Sequence, residues 1–142
     1  MSAFNESGHS DLAIYFGDFL TTIASWTLPA MTESVLLARQ QVTDFLSAES
    51  SIDLEHALAV TSELVANSVV HAATELQVVL ERWQYMVKVV VADSNNQIPV
   101  MRSLDVSMDC GRGMHIVEEY SDLWGYELTE NGKRIWAGFK FA

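Results

Sequence analysis

The stretch Glu63-Leu64-Val65-Ala66-Asn67-Ser68-Val69-Val70-His71-Ala72 decides how this chain reads. Residues four apart in an α-helix lie about 40° apart around its axis, so Glu63, Asn67 and His71 make one slowly drifting polar ridge. The positions between them are mostly apolar, which predicts a largely buried helix. A helix built only for burial would not carry a carboxylate and a carboxamide there, and buried polar groups need partners. A divalent metal is one such partner. An Asn carbonyl is a hard oxygen ligand for Mg²⁺, and a nearby Glu accepts a proton from a hydroxyl or a water. The plainer alternative is a ridge that faces solvent or caps a neighbouring turn.

Two later segments bear on that choice. The β-branched run Val87-Lys88-Val89-Val90-Val91-Ala92 reads as a central strand, so Asp93 emerges at a sheet end, where ligands commonly bind. Its carboxylate there either accepts a hydrogen bond from an exocyclic amine or simply starts the turn Asp93-Ser94-Asn95-Asn96. Gly111-Arg112-Gly113 precedes the apolar-periodic Met114, Ile116 and Val117. It leaves backbone N–H groups at a helix N-terminus free for phosphate, or it is only a tight turn. Each signal alone is weak, and the combination in this order is specific.

Working outward, Thr22 to Leu28 alternates as an edge strand ended by Pro29. From Thr32, a candidate N-cap, to Ala48 the apolar spacing is helical, and Asp53 can cap the helix that runs to about Ala72. Leu76 to Trp83 and Tyr85 to Ala92 form two antiparallel strands turning near Gln84. Met114 to Tyr120 is helical, and Leu123 to Leu128 pairs with Arg134 to Phe141 around Asn131-Gly132. This order predicts an α+β two-layer sandwich: a mostly antiparallel, mixed sheet with helices on one face. Trp26, Trp83, Trp124 and Trp136 fall in strands and read as packing residues. Residues 1–21 are expected to be an N-terminal tail, loose to about Ser10, followed by an extra segment. Residues 22–142 are the domain.

The chain has 142 residues, 49% of them hydrophobic and 19% charged, which fits one globular domain. A single cysteine, Cys110, excludes an internal disulfide, and no Cys/His cluster suggests zinc. No basic residue precedes Arg39 and no apolar run is long enough to span a bilayer, so a soluble cytoplasmic protein is expected. A net charge of −11 argues against direct nucleic-acid binding. Residues 1–81 hold eleven acids and one base, whereas residues 82–142 hold eight acids and seven bases. Arg102, Arg112, Lys133 and Arg134 are thereby available to the phosphate end, and the acidic half would attract a basic protein partner.

The segments 63–72, 90–93 and 111–114, in this order and spacing, resemble the ATP-site boxes of the histidine-kinase-like ATPases. More narrowly the chain is similar to the bacterial anti-sigma factor serine/threonine kinases, including the closing Trp124-Gly125 and Gly132-Lys133-Arg134-Ile135-Trp136-Ala137. The resemblance covers roughly residues 22 to 142. It implies ATP and Mg²⁺ as cofactors, with Glu63 as the general base and Asn67 as the Mg²⁺ ligand. His71 would lie near the phosphates or base, and Asp93 would accept the adenine amine. Gly111, Arg112, Gly113 and Met114 would present N–H groups to the phosphates. Arg39 would contact partner proteins, the alternative being a local ion pair with Glu33 or Asp44.

On that resemblance the chain would sequester a sigma factor and phosphorylate a serine on an anti-sigma antagonist protein, with dimerisation through the sheet edge and first helix. A non-catalytic, partner-sequestering module of the same fold is the competing reading. It is favoured by Asn95 and Gln97, which stand where the family carries glycines, and by the eighteen positions between Asp93 and Gly111, short for a lid. The ATP-binding half of a phospho-relay histidine kinase is disfavoured, because no phospho-acceptor helix fits in so short a chain.

Overall fold

Strands β3 (Leu76–Trp83) and β4 (Met86–Asp93) are aliphatic and β-branched over most of their length, and β4 is buried from Met86 to Val91. A strand that is apolar at successive positions must be covered on both faces. The computed structural model, which describes residues 3–5, 13–71, 75–95 and 112–142, shows how each face is covered. Val87, Val89 and Val91 join the larger core beneath the helices, whereas Met86 and Val90 join a smaller cluster on the opposite face.

The remaining elements are β1 (Ala3–Asn5), α1 (Ala13–Phe16), β2 (Leu20–Leu28), α2 (Glu33–Phe45) and α3 (Leu54–His71). They are followed, after β3 and β4, by α4 (Arg112–Tyr120), β5 (Leu123–Thr129) and β6 (Gly132–Lys140). The strands form one sheet in the order β1-β5-β6-β4-β3-β2. All pairings are antiparallel except β1 with β5, so the sheet is mixed as expected. Helices α2, α3 and α4 pack on one face through Ala38, Val42, Val60, Leu64, Val65, Met114 and Val117. This is the predicted α+β two-layer sandwich.

Local chemistry explains most boundaries. Asp53 caps α3, its Oδ1 accepting from the His56 N–H at 3.1 Å. Thr32 makes no side-chain cap to α2, so that helix begins without the cap its sequence suggests.

The N-terminal segment departs from expectation. The tail expected to be loose contributes β1, which pairs in parallel with Trp124-Gly125-Tyr126 at the edge of the sheet. An open strand edge offers unpaired backbone groups, and β1 covers the stretch of β5 from Trp124 to Tyr126. Helix α1 then lays Phe16 on the other sheet face, its ring 5.3 Å from that of Trp136 in a T-shaped contact. Gly17, at φ +87°, turns the chain off that helix against Gln84, where any Cβ would collide.

Candidate functional site

Helix α3 buries Ala57, Val60, Thr61, Leu64, Val65 and Ser68. Glu63, Asn67 and His71 therefore lie along the border of the buried stripe, each half-buried, and not at its centre as a wholly buried helix would require. Neither Glu63 nor Asn67 makes a side-chain hydrogen bond to another described residue. Burial raises the Glu63 carboxyl above the usual carboxylate range.

Gly113 sits in the first turn of α4, directly against that carboxylate. A Cβ there would meet Glu63 Oε2, the mobile end of that side chain, so any residue other than glycine would push the carboxylate aside. The Met114 side chain is buried in the core. The main chain of Arg112 opens α4. Gly111, Arg102 and Gln97 lie outside the described residues, as does the Arg112 side chain.

About five residues further along α3, roughly 7.5 Å by helical rise, the helix meets the end of β4. Ser68 is buried, and its hydroxyl donates to Asp93 Oδ2 at 2.6 Å. The Asn95 backbone N–H donates to Asp93 Oδ1 at 2.9 Å, closing the Asx turn that was the plainer reading of this Asp. The Asn95 side chain donates to the His71 carbonyl at 3.0 Å and so fastens the end of α3 to the same turn. His71 thus serves this corner through its backbone.

The fourth member of the corner is Lys133, which faces Asp93 directly in the β4–β6 register. Its Nζ lies 3.0 Å from Asp93 Oδ1, 3.1 Å from Oδ2 and 3.2 Å from the Asn95 carbonyl. Both side chains are sealed from solvent, Asp93 at 1% and Lys133 at 2% exposure. A carboxylate offers about four lone-pair directions and an ammonium three N–H donors. All four acceptors and all three donors are used. Gly132 makes the fit possible, since a Cβ there would collide with the Asp93 carbonyl.

Sequence reasoning missed Ser68 and Lys133. It expected Lys133 to be free for phosphate, whereas its ammonium is committed to Asp93. Arg39 makes neither of the ion pairs, with Glu33 or Asp44, that were the alternative to its contacting partner proteins. It donates to the Leu58 carbonyl at 3.2 Å and to Ser62 Oγ at 2.7 Å, tying α2 to α3. Among the described residues no group of three His, Cys, Asp or Glu side chains is disposed to hold a metal. No helix among them is long and apolar enough to cross a membrane.

Neither a protein-family model nor a curated protein matches the sequence. Solved structures do match. One is the crystal structure of the RsbU and RsbW domains of Rv1364c from Mycobacterium tuberculosis, at 16% identity and a TM-score of 0.65. That match covers 85% of this chain but only 33% of the other, so this chain spans about a third of its length. With the two-layer topology and the α3, β4 and α4 segments in their places, the chain has the fold of the histidine-kinase-like ATPases.

Proposed function

We propose that this protein is a regulator of the anti-sigma type that sequesters a protein partner without depending on adenine nucleotide. The closed Asp93–Lys133 pair carries this reading. The acceptor that an adenine amine would use has no lone pair left, so the residues present do not fit ATP at the base end. At the other end, among the described residues, Mg²⁺ would have Asn67 and the oxygens of a ligand to hold it.

Partner binding needs neither group. Met31, Leu36 and Leu37 around the first turns of α2 are exposed, as are Leu20 and Ile23 on β2, which has no strand on its outer side among the described residues. Exposed apolar groups next to an open strand edge suit a protein partner or a second copy of the chain. The partner proposed here is a sigma factor or its antagonist, the class that the resemblance implies.

The test is to recover the partner from the native cell and to measure its affinity for the purified protein with and without Mg-ATP. The expected result is the same affinity in both. A several-fold change on adding Mg-ATP would refute the nucleotide-independent reading. One observation favours a second reading, a serine kinase: Glu63, its carboxyl raised by burial, stands at the N-terminal turn of α4 as a base for a hydroxyl would. Labelled phosphate appearing on the antagonist with the unaltered protein, and lost with Glu63→Ala, would establish that reading instead.

A further inference from the structure

We infer that Lys133 is the specificity-determining residue of this corner, a built-in occupant that takes the place of a 6-amino purine on the Asp93 carboxylate. The inference rests on the proposed function, in which the base end is closed, and goes beyond it by assigning the closure to one side chain. Three observations support it.

First, Asp93 is held in place independently of Lys133. Ser68 fixes Oδ2 at 2.6 Å and the Asn95 N–H fixes Oδ1 at 2.9 Å, so the carboxylate would keep its orientation without the ammonium. Second, those two donors leave one lone-pair direction on each oxygen, and Lys133 takes both. An exocyclic amine needs only one. Third, the ammonium is itself saturated, because the Asn95 carbonyl at 3.2 Å takes its remaining N–H. Lys133 therefore has no donor to offer a base carbonyl, and the pair as it stands reads neither an amino nor an oxo purine. A neutral amine cannot displace a buried ammonium from the carboxylate that balances it without stranding that charge.

The experiment is calorimetry of the full chain and of Lys133→Thr with Mg-ATP and with Mg-ITP, which carries an oxygen in place of the 6-amine. Threonine suits a strand and brings no charge. The unaltered protein is expected to show no saturation by about 1 mM of either nucleotide. Lys133→Thr is expected to bind Mg-ATP at least about tenfold more tightly than the unaltered chain, and to prefer it over Mg-ITP by a similar factor. Circular dichroism checks the fold. If the single variant does not fold, the double variant Asp93→Asn/Lys133→Thr removes the unpaired charge and keeps an acceptor oxygen for the amine; there only the gain in Mg-ATP binding over the unaltered chain is read, because the Asn amide can also donate to a 6-oxo group.

A folded variant that ignores Mg-ATP, or a folded Lys133→Thr that binds both nucleotides equally, overturns the role of Lys133 and leaves the proposed function intact. Preference of the unaltered chain for Mg-ITP also overturns it, since Lys133 would then be reading a carbonyl. Tight Mg-ATP binding by the unaltered chain would instead sink the proposed function.

Discussion

Replacing Lys133 by methionine is expected to be among the most destabilising single changes in this protein, and the size of the effect follows from its surroundings. Breaking a buried ion pair by removing one partner costs about 3–5 kcal/mol, because the charge left behind is uncompensated. Asp93 would keep two donors, Ser68 and the Asn95 N–H, which places the cost near the lower end, about 3 kcal/mol. For a domain of 142 residues the unfolding entropy at the midpoint is about 0.3 kcal/mol per kelvin, so the melting temperature should fall by about 10 °C. Asp93→Asn alone should cost a comparable amount, since it strands Lys133 in the same enclosed corner. The double variant Asp93→Asn/Lys133→Met buries no charge and should recover much of the loss, giving a coupling energy of about 2 kcal/mol or more. Urea denaturation of the four proteins, read by far-ultraviolet circular dichroism, measures the cycle. If Lys133→Met loses less than about 1 kcal/mol, or the two single effects simply add, then the pair is not closed as described and the ammonium reaches water.

Two further changes probe the same corner and its neighbour. Gly132→Ala drives a Cβ into the main chain of Asp93, where no flexible side chain can yield, so a loss of about 3 kcal/mol in thermal or urea unfolding is expected; a melting temperature within a degree or two of the unaltered protein would show that β6 does not approach β4 so closely. Burial raises the folded-state pKa of Glu63 above its ordinary value of 4.5, so its contribution to stability is fully present below pH 4.5 and is lost as pH rises through the raised folded value. Glu63→Gln removes that ionisation and should raise the melting temperature at pH 7, with the gain shrinking toward zero near pH 4. A gain that persists unchanged at low pH would place its origin elsewhere.

The layers of this fold are legible in the sequence because each rests on a period. The i, i+4 spacing marks α2 and α3, the β-branched run marks β4 as a strand covered on both faces, and Asn131-Gly132 marks the last hairpin. What lacks a period is not legible. Three residues at the N-terminus carry no alternation, so β1 and its parallel pairing to β5 follow only from an open sheet edge that the rest of the chain creates. Phe16 likewise ends a short apolar run, Leu12-Ala13-Ile14-Tyr15-Phe16, to which no period assigns a helix or a strand, and its role in covering Trp136 depends on a contact about 120 positions away in the chain.

The site divides in the same way. Glu63 and Gly113 could be placed together from motif order, but the occupant of Asp93 could not, because β6 follows β5 in the chain and pairs with β4 in space. A lysine beside a hairpin turn ordinarily reads as a solvated surface charge. The phase of the strand says otherwise. Lys133 falls in step with Ile135, Ala137 and Phe139, all buried beneath the helices, so alternation alone points its side chain to the core face. A lysine in phase with core residues requires a buried acid within reach. Of the acids that end a strand, Asp93 is the one whose own strand is apolar enough to be central. Read that way, the alternation in β6 and the apolar run in β4 together specify the ion pair.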